Sequence, residues 1–232
     1  MVTKRGLFVH NGFNGMVRSI HRFLLLALIV SSLIVIGCLE PSKGPSSENV
    51  PPASFADLKP ITPQPSESSI KPGVNVWYLP DFEFNHIGEM PRGEPPYSWG
   101  FAGKPILIID RKFAPQENVF DSGYHKLVGL RMDGMIKFPE PGEYWIEAYA
   151  NDGIRVYIDN QRVVNDPDWH MGGDEYSPKN KIEISTPGWY RFKLQYFQRL
   201  GTATLQLLWK KPGDADFSII PAEAYGHVSS YK

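Results

Sequence analysis

Apolar and polar residues alternate with a period of two along much of the second half of the chain, as they do when a strand buries one face and exposes the other. From Pro139 to Val164, Tyr144, Ile146 and Ala148 alternate with Glu143, Trp145 and Glu147. Pro141-Gly142 opens this strand and Asn151-Asp152-Gly153 breaks it. The chain returns through Ile154, Val156 and Ile158, and Asp159-Asn160 supplies a two-residue turn before Gln161 to Val164, since both residue types tolerate positive φ. The whole stretch reads as a β-hairpin unit. Phe192, Leu194 and Tyr196, then Leu205, Leu207 and Trp209, repeat the alternation on either side of the loop Gln198 to Thr202. Val128 to Phe138 leads into this half. Upstream, Val74 to Leu79 reads as a first strand, Pro105 to Ile109 as a buried one, and the Pro- and Gly-rich stretch from Pro91 to Gly103 as irregular loop. The pattern predicts an all-β domain with Tyr144, Ile146, Val156, Ile158, Leu194, Leu205 and Leu207 in its core.

The first 70 residues follow other rules. Arg18, His21 and Arg22 precede an uncharged apolar run from Phe23 to Ile36, short of the roughly twenty residues that cross a bilayer. Val35-Ile36-Gly37-Cys38 resembles the bacterial lipobox, so residues 1–37 are expected to be a lipoprotein signal peptide and Cys38 the lipidated residue. Met16 would open a more conventional signal. Leu39, where Asp is the usual inner-membrane retention mark, implies outer-membrane sorting in a Gram-negative envelope. Residues 38–70, rich in Pro, Ser, Glu and Lys, read as a disordered tether reaching up to roughly 90 Å if extended. The domain proper is expected over residues 71–232.

The chain has 232 residues, 42% hydrophobic and 21% charged, with a net charge of -1, enough for one core plus extensions. No Lys or Arg cluster of the kind that neutralises phosphates is present, which argues against a nucleic-acid partner. With Cys38 the one cysteine, no intrachain disulfide forms.

The serial order of Asp133-Gly134, Pro141-Gly142, the aromatic strand, the acidic pair with Gly, the hairpin turn and Pro187-Gly188 resembles the PA-fourteen (protective-antigen-like) domain family. The resemblance continues through Tyr190 to Tyr196, Thr204 to Trp209, Pro212-Gly213 and Ile220-Pro221-Ala222. It implies an antiparallel β-sandwich or barrel. In the family's sugar-binding branch, two loops at one end hold a calcium ion that receives sugar hydroxyls. Carried onto this sequence, that implies Asn151, Asp152 and Gln198 as metal ligands, with Asp152, Trp169, Gln198 and Arg199 as ligand-binding residues. The branch joins its acidic pair by a cis peptide, so Asn151-Asp152 should be cis if that use is kept. Asn151 departs from the usual Asp and leaves one carboxylate, a weak donor set for calcium. Read from the residues alone, Asn151-Asp152-Gly153 is equally good turn chemistry with no metal.

The polar stretch Asn165 to Tyr176 contains several carboxylates and His170, but a single His without a partner His or Cys lacks transition-metal spacing, and a solvated loop is expected. Neither G-x-S-x-G nor H-E-x-x-H occurs, so no catalytic residue is assigned. These readings point to an envelope-anchored lipoprotein, held at the cell membrane by its lipid, with a non-catalytic carbohydrate-recognition module that calcium assists. The alternative is a structural or protein-interaction module whose partner is an envelope protein.

Overall fold

The strand order follows the sequence pattern closely in the second half of the chain and departs from it at three places. The computed structural model describes residues 52–83, 85–229 and 231. The signal segment, Cys38 and the first part of the tether lie outside the described residues. In chain order the strands are β1 (Ser54–Phe55), β2 (Lys71–Pro72), β3 (Asn75–Pro80), β4 (Phe101–Ala102), β5 (Asp110–Phe113) and β6 (Val128–Phe138). Then come β7 (Gly142–Asn151), β8 (Ile154–Ile158), β9 (Gln161–Asp166), β10 (Glu175–Tyr176) and β11 (Asn180–Ile184). The domain closes through β12 (Gly188–Gln198), β13 (Ala203–Lys210), β14 (Ser218–Ile219) and β15 (Tyr225–His227).

Two sheets face each other. One runs β1-β11-β7-β13-β14, with β10 on β7 and β5 on β13; the other runs β2-β15-β6-β12-β8-β9, with β3 on β6 and β4 on β3. Pairings are antiparallel except that of β1 with β11. The inward residues of both sheets meet in one core, in which Tyr144, Ile146, Val156, Ile158, Leu194, Leu205 and Leu207 are at most 1% exposed. Asp159 and Asn160 carry φ of 48° and 63°, the left-handed pair that a tight β8–β9 turn demands.

The first departure concerns the hairpin unit. β7 belongs to one sheet and β8 to the other, so Asn151-Asp152-Gly153 is a corner between sheets, and only β8–β9 is a hairpin. Alternation shows that a strand has one buried face, not which partner it hydrogen-bonds. Second, Pro105 to Ile109 forms no strand: Ile106 and Ile109 are buried, but Leu107 and Ile108 are 55% and 37% exposed. Third, the described part of the expected tether packs on the domain. Leu58 is fully buried, β1 adds to the edge of β11, and Gln64 exchanges hydrogen bonds with the Trp189 backbone at 2.7 and 3.1 Å.

A second, smaller core lies on the outer face of the larger sheet. Along β3, Val76 and Tyr78 enter the main core while Trp77 and Leu79 point the other way, joined by Phe82, Ile87, Met90 and Phe197. A Cβ at Gly129 would meet Met90 at 3.2 Å and Phe82 at 3.3 Å, so a bare backbone there lets the covering segment come down. A short 3-10 helix, Ile87–Glu89, anchors that segment; His86 and Glu89 form a capping box at its start.

Candidate functional site

The corners β7–β8 and β12–β13 both carry the chain from one sheet to the other at the same end of the domain, which brings together loops 46 residues apart in sequence. Asp152 N–H donates to the Phe197 carbonyl and Phe197 N–H to the Gly153 carbonyl, both at 3.1 Å. Gly153 is required: a Cβ there would lie 2.6 Å from the Phe197 ring and 2.7 Å from the Pro167 carbonyl. The Asn151-Asp152 peptide is cis. Asp152 is fully buried, and its carboxylate accepts the backbone N–H of Arg199 at 2.7 Å and that of His170 at 3.2 Å. Asn151 Nδ2 donates to the Thr202 carbonyl at 2.7 Å, and the Tyr196 hydroxyl donates to the Asn151 carbonyl. Burial pushes the Asp152 pKa up, and the two backbone N–H groups oppose it.

His170 corrects the expectation of a solvated loop. Much of the Asn165–Tyr176 stretch is exposed, yet the His170 ring is inserted beside Asp152, with Nδ1 3.2 Å from the Ala150 carbonyl and Nε2 3.2 Å from Asp166 Oδ1. An imidazole with oxygen facing both nitrogens is best satisfied as the doubly protonated cation. Burial alone would lower its pKa, but the Asp166 carboxylate, with Glu175 and the Ala150 carbonyl, raises it. Trp169 is half-buried against the second core, and the Arg199 guanidinium lies 4.2 Å over its ring. One face of the ring is therefore covered by Arg199.

The five expected site residues thus do come together, and three of them, Asn151, Asp152 and Gln198, are enclosed. Calcium takes six to eight oxygens and, in the sugar-binding arrangement, must stay open to the ligand. Here Asn151, Asp152 and Gln198 are 4%, 0% and 0% exposed. Gln198 Oε1 faces the Tyr196 hydroxyl at 3.4 Å, and both oxygens of the one carboxylate hold N–H donors. Asn151 Oδ1 and the Gln198 amide nitrogen are buried without partners. The one carboxylate of this set, already holding two backbone N–H groups, stands beside neutral amides and makes a weak donor set for calcium. Among the described residues, no group of three or more His, Cys, Asp or Glu is placed to hold a metal ion.

A different set of polar residues, which the sequence pattern does not single out, lines the outer face of the larger sheet. Arg131 and Asp133 alternate with buried residues of β6 and pair across the ladder with Gln195 and Lys193 of β12; Lys193 in turn pairs with Tyr157 of β8. Glu94 descends from the covering segment and accepts from Lys193 Nζ at 2.7 Å. The hollow these residues line has a volume of ≈ 290 Å³, and a second of ≈ 510 Å³ adjoins it across Glu94 and Asp133. Burial pushes the Asp133 carboxyl up to about 6, with Glu94 adding to the rise and the Tyr231 hydroxyl, which donates to Asp133, opposing it. The sequence offered a partial signal, outward polar residues at β6 and β12, but not the register that sets them side by side.

Against known proteins, the family model of the PA14 domain matches residues 110–223, and this part of the chain is a PA14 domain. The anti-sigma-I factor RsgI3 of Acetivibrio thermocellus is 31% identical over 80 residues, 34% of this chain. The chain spans 12% of that relative's length. Among solved structures, an anti-sigma factor domain-containing protein from Clostridium clariflavum aligns with a TM-score of 0.53 at 18% identity, over 70% of this chain and 48% of its own. The Epithelial Adhesin 9 A domain of Candida glabrata, in complex with Galb1-4GlcNAc, aligns with a TM-score of 0.52 at 13% identity, over 72% and 94%. The PA14 domain of the antifreeze protein MpAFP gives 0.51 at 10% identity, over 74% and 98%. At these identities the solved structures share the fold.

Proposed function

We propose that this chain is an envelope-anchored lipoprotein whose PA14 domain is a non-catalytic recognition module for carbohydrate. The observation that carries the reading is the PA14 domain itself, a fold also seen in an adhesin domain solved with a bound glycan. One carboxylate already holding two backbone N–H groups is a weak donor set for calcium, and this reading gives calcium no part in recognition. A glycan array probed with the full chain in detergent tests the reading: binding is expected to be the same in calcium and in EDTA. Cys38 carries the lipid, and Cys38→Ala should leave an unprocessed precursor that takes up no labelled palmitate. Equal labelling of mutant and wild type would remove the anchor.

The anti-sigma relatives favour a second reading, in which the domain meets a protein partner in the envelope. An array without signal, together with one envelope protein recovered by in-cell crosslinking, would put this reading first.

A further inference from the structure

Arg131, Glu94, Asp133, Lys193 and Gln195 form a hydrogen-bonding floor whose parts have different degrees of freedom. The Arg131 guanidinium is held in place: Nε donates to the Tyr97 hydroxyl at 2.9 Å, and a terminal nitrogen donates to the Gly93 carbonyl. A ligand meeting it therefore need not order that side chain itself. The Lys193–Glu94 pair is the opposite case. At 2.7 Å it is a good ion pair, but with side-chain exposures of 35% and 56% it is solvated and holds weakly, so ligand hydroxyls can replace either partner at little loss.

Gln195 is the independent observation. It is 9% exposed and lines the hollow, and among the described residues its carboxamide makes no hydrogen bond. Its amide opens onto the water of the hollow, where a ligand oxygen or hydroxyl can take up its hydrogen bonds. Tyr157, across the ladder from Lys193, sets an aromatic ring at the rim.

Resting on the carbohydrate reading above, we propose that this outer-face hollow is where the glycan binds, and that it takes a neutral, hydroxyl-rich oligosaccharide. Two cations and two carboxylates offset one another across the floor, so no net charge selects an ionic ligand. The donors of Arg131, Lys193 and Gln195 and the acceptor of Asp133 lie along two adjacent ladder rows, and Glu94 adds an acceptor from the covering segment, matching hydroxyls that both donate and accept. The combined volume of the two hollows is that of an ordinary small-ligand site, roughly 300–1,000 Å³.

The test uses the full chain in detergent micelles on an array carrying neutral oligosaccharides beside uronic-acid and sialylated ones, with melting temperatures recorded in parallel. Lys193→Ala and Gln195→Ala should each weaken binding to the neutral spots about tenfold or more, and Lys193→Ala should leave the melting temperature unchanged. Leu200→Asp, which places a charge on the exposed tip of the β12–β13 corner, should bind as wild type. Loss in Leu200→Asp with retention in the two hollow variants would overturn the location while leaving the carbohydrate reading in place. Signal confined to acidic glycans would overturn the ligand class. A wild-type chain that binds no spot would remove the carbohydrate reading and this inference with it.

Discussion

Asp152 and Asp133 are two carboxyl groups of one domain, both with pKa values raised mainly by burial, and they have been put to different uses. The partners of Asp152 are backbone N–H groups of Arg199 and His170, fixed by the fold and unable to turn away. The partners of Asp133 are side chains, Tyr231 and, through the adjoining Glu94, Lys193, beside an open hollow. A carboxylate saturated by backbone locks a corner. One held by movable side chains stays available to something outside the protein.

Substituting each half should separate stability from recognition. Asp152→Ala orphans two buried donors at about 1–3 kcal/mol each, giving a loss of about 2–6 kcal/mol in urea unfolding. A loss below about 0.5 kcal/mol would mean that the corner does not depend on this carboxylate. His170→Ala removes a ring held between the Ala150 carbonyl and the Asp166 carboxylate and should cost about 1.5–3 kcal/mol by the same measurement.

The two regions also titrate in different windows. Asp133 moves from the ordinary 3.8 to about 6 in the folded protein, so its contribution to stability is fully present below 3.8 and lost as pH rises toward 6. His170, raised above 6.5, contributes fully below 6.5 and loses that contribution as pH climbs through its folded value. Melting curves between pH 3 and 9 should flatten in the lower window for Asp133→Asn and in the upper one for His170→Gln. A lower window unchanged by Asp133→Asn would show that another group titrates there.

The smallest effect on stability belongs to the hollow. Lys193→Ala breaks an exposed ion pair and should change the unfolding free energy by about 0–1 kcal/mol, well below the Asp152 variant. A larger loss would make Lys193 part of the scaffold and erase the contrast between the two regions.

The sequence by itself determined the long strands of the second half and which of their residues face the core. Tyr144, Ile146, Ala148, Val156, Ile158, Phe192, Leu194, Tyr196, Leu205, Leu207 and Trp209 face the core at the spacing of two, because burial of alternate side chains is a local property of an extended chain; Glu147, Gln195 and Gln198 are buried as well, by what covers the other face. It also marked the Asp159-Asn160 turn and brought Asn151, Asp152, Gln198 and Arg199 to notice as one end of the domain. The tertiary structure decided the partners. Nothing local distinguishes a corner from a hairpin at Gly153, since both need a sharp turn, and it is the sheet each strand joins that makes the difference. Likewise, Phe55 and Gln64 lie in a stretch whose composition reads as tether, and they are ordered by β11 and Trp189, supplied from more than a hundred residues away. The hollow exists because the register of β6, β12 and β8 sets Arg131 beside Gln195 and Asp133 beside Lys193 and Tyr157, and a loop then delivers Glu94. Such register is fixed by long-range pairing and core packing acting together, which no window of sequence contains.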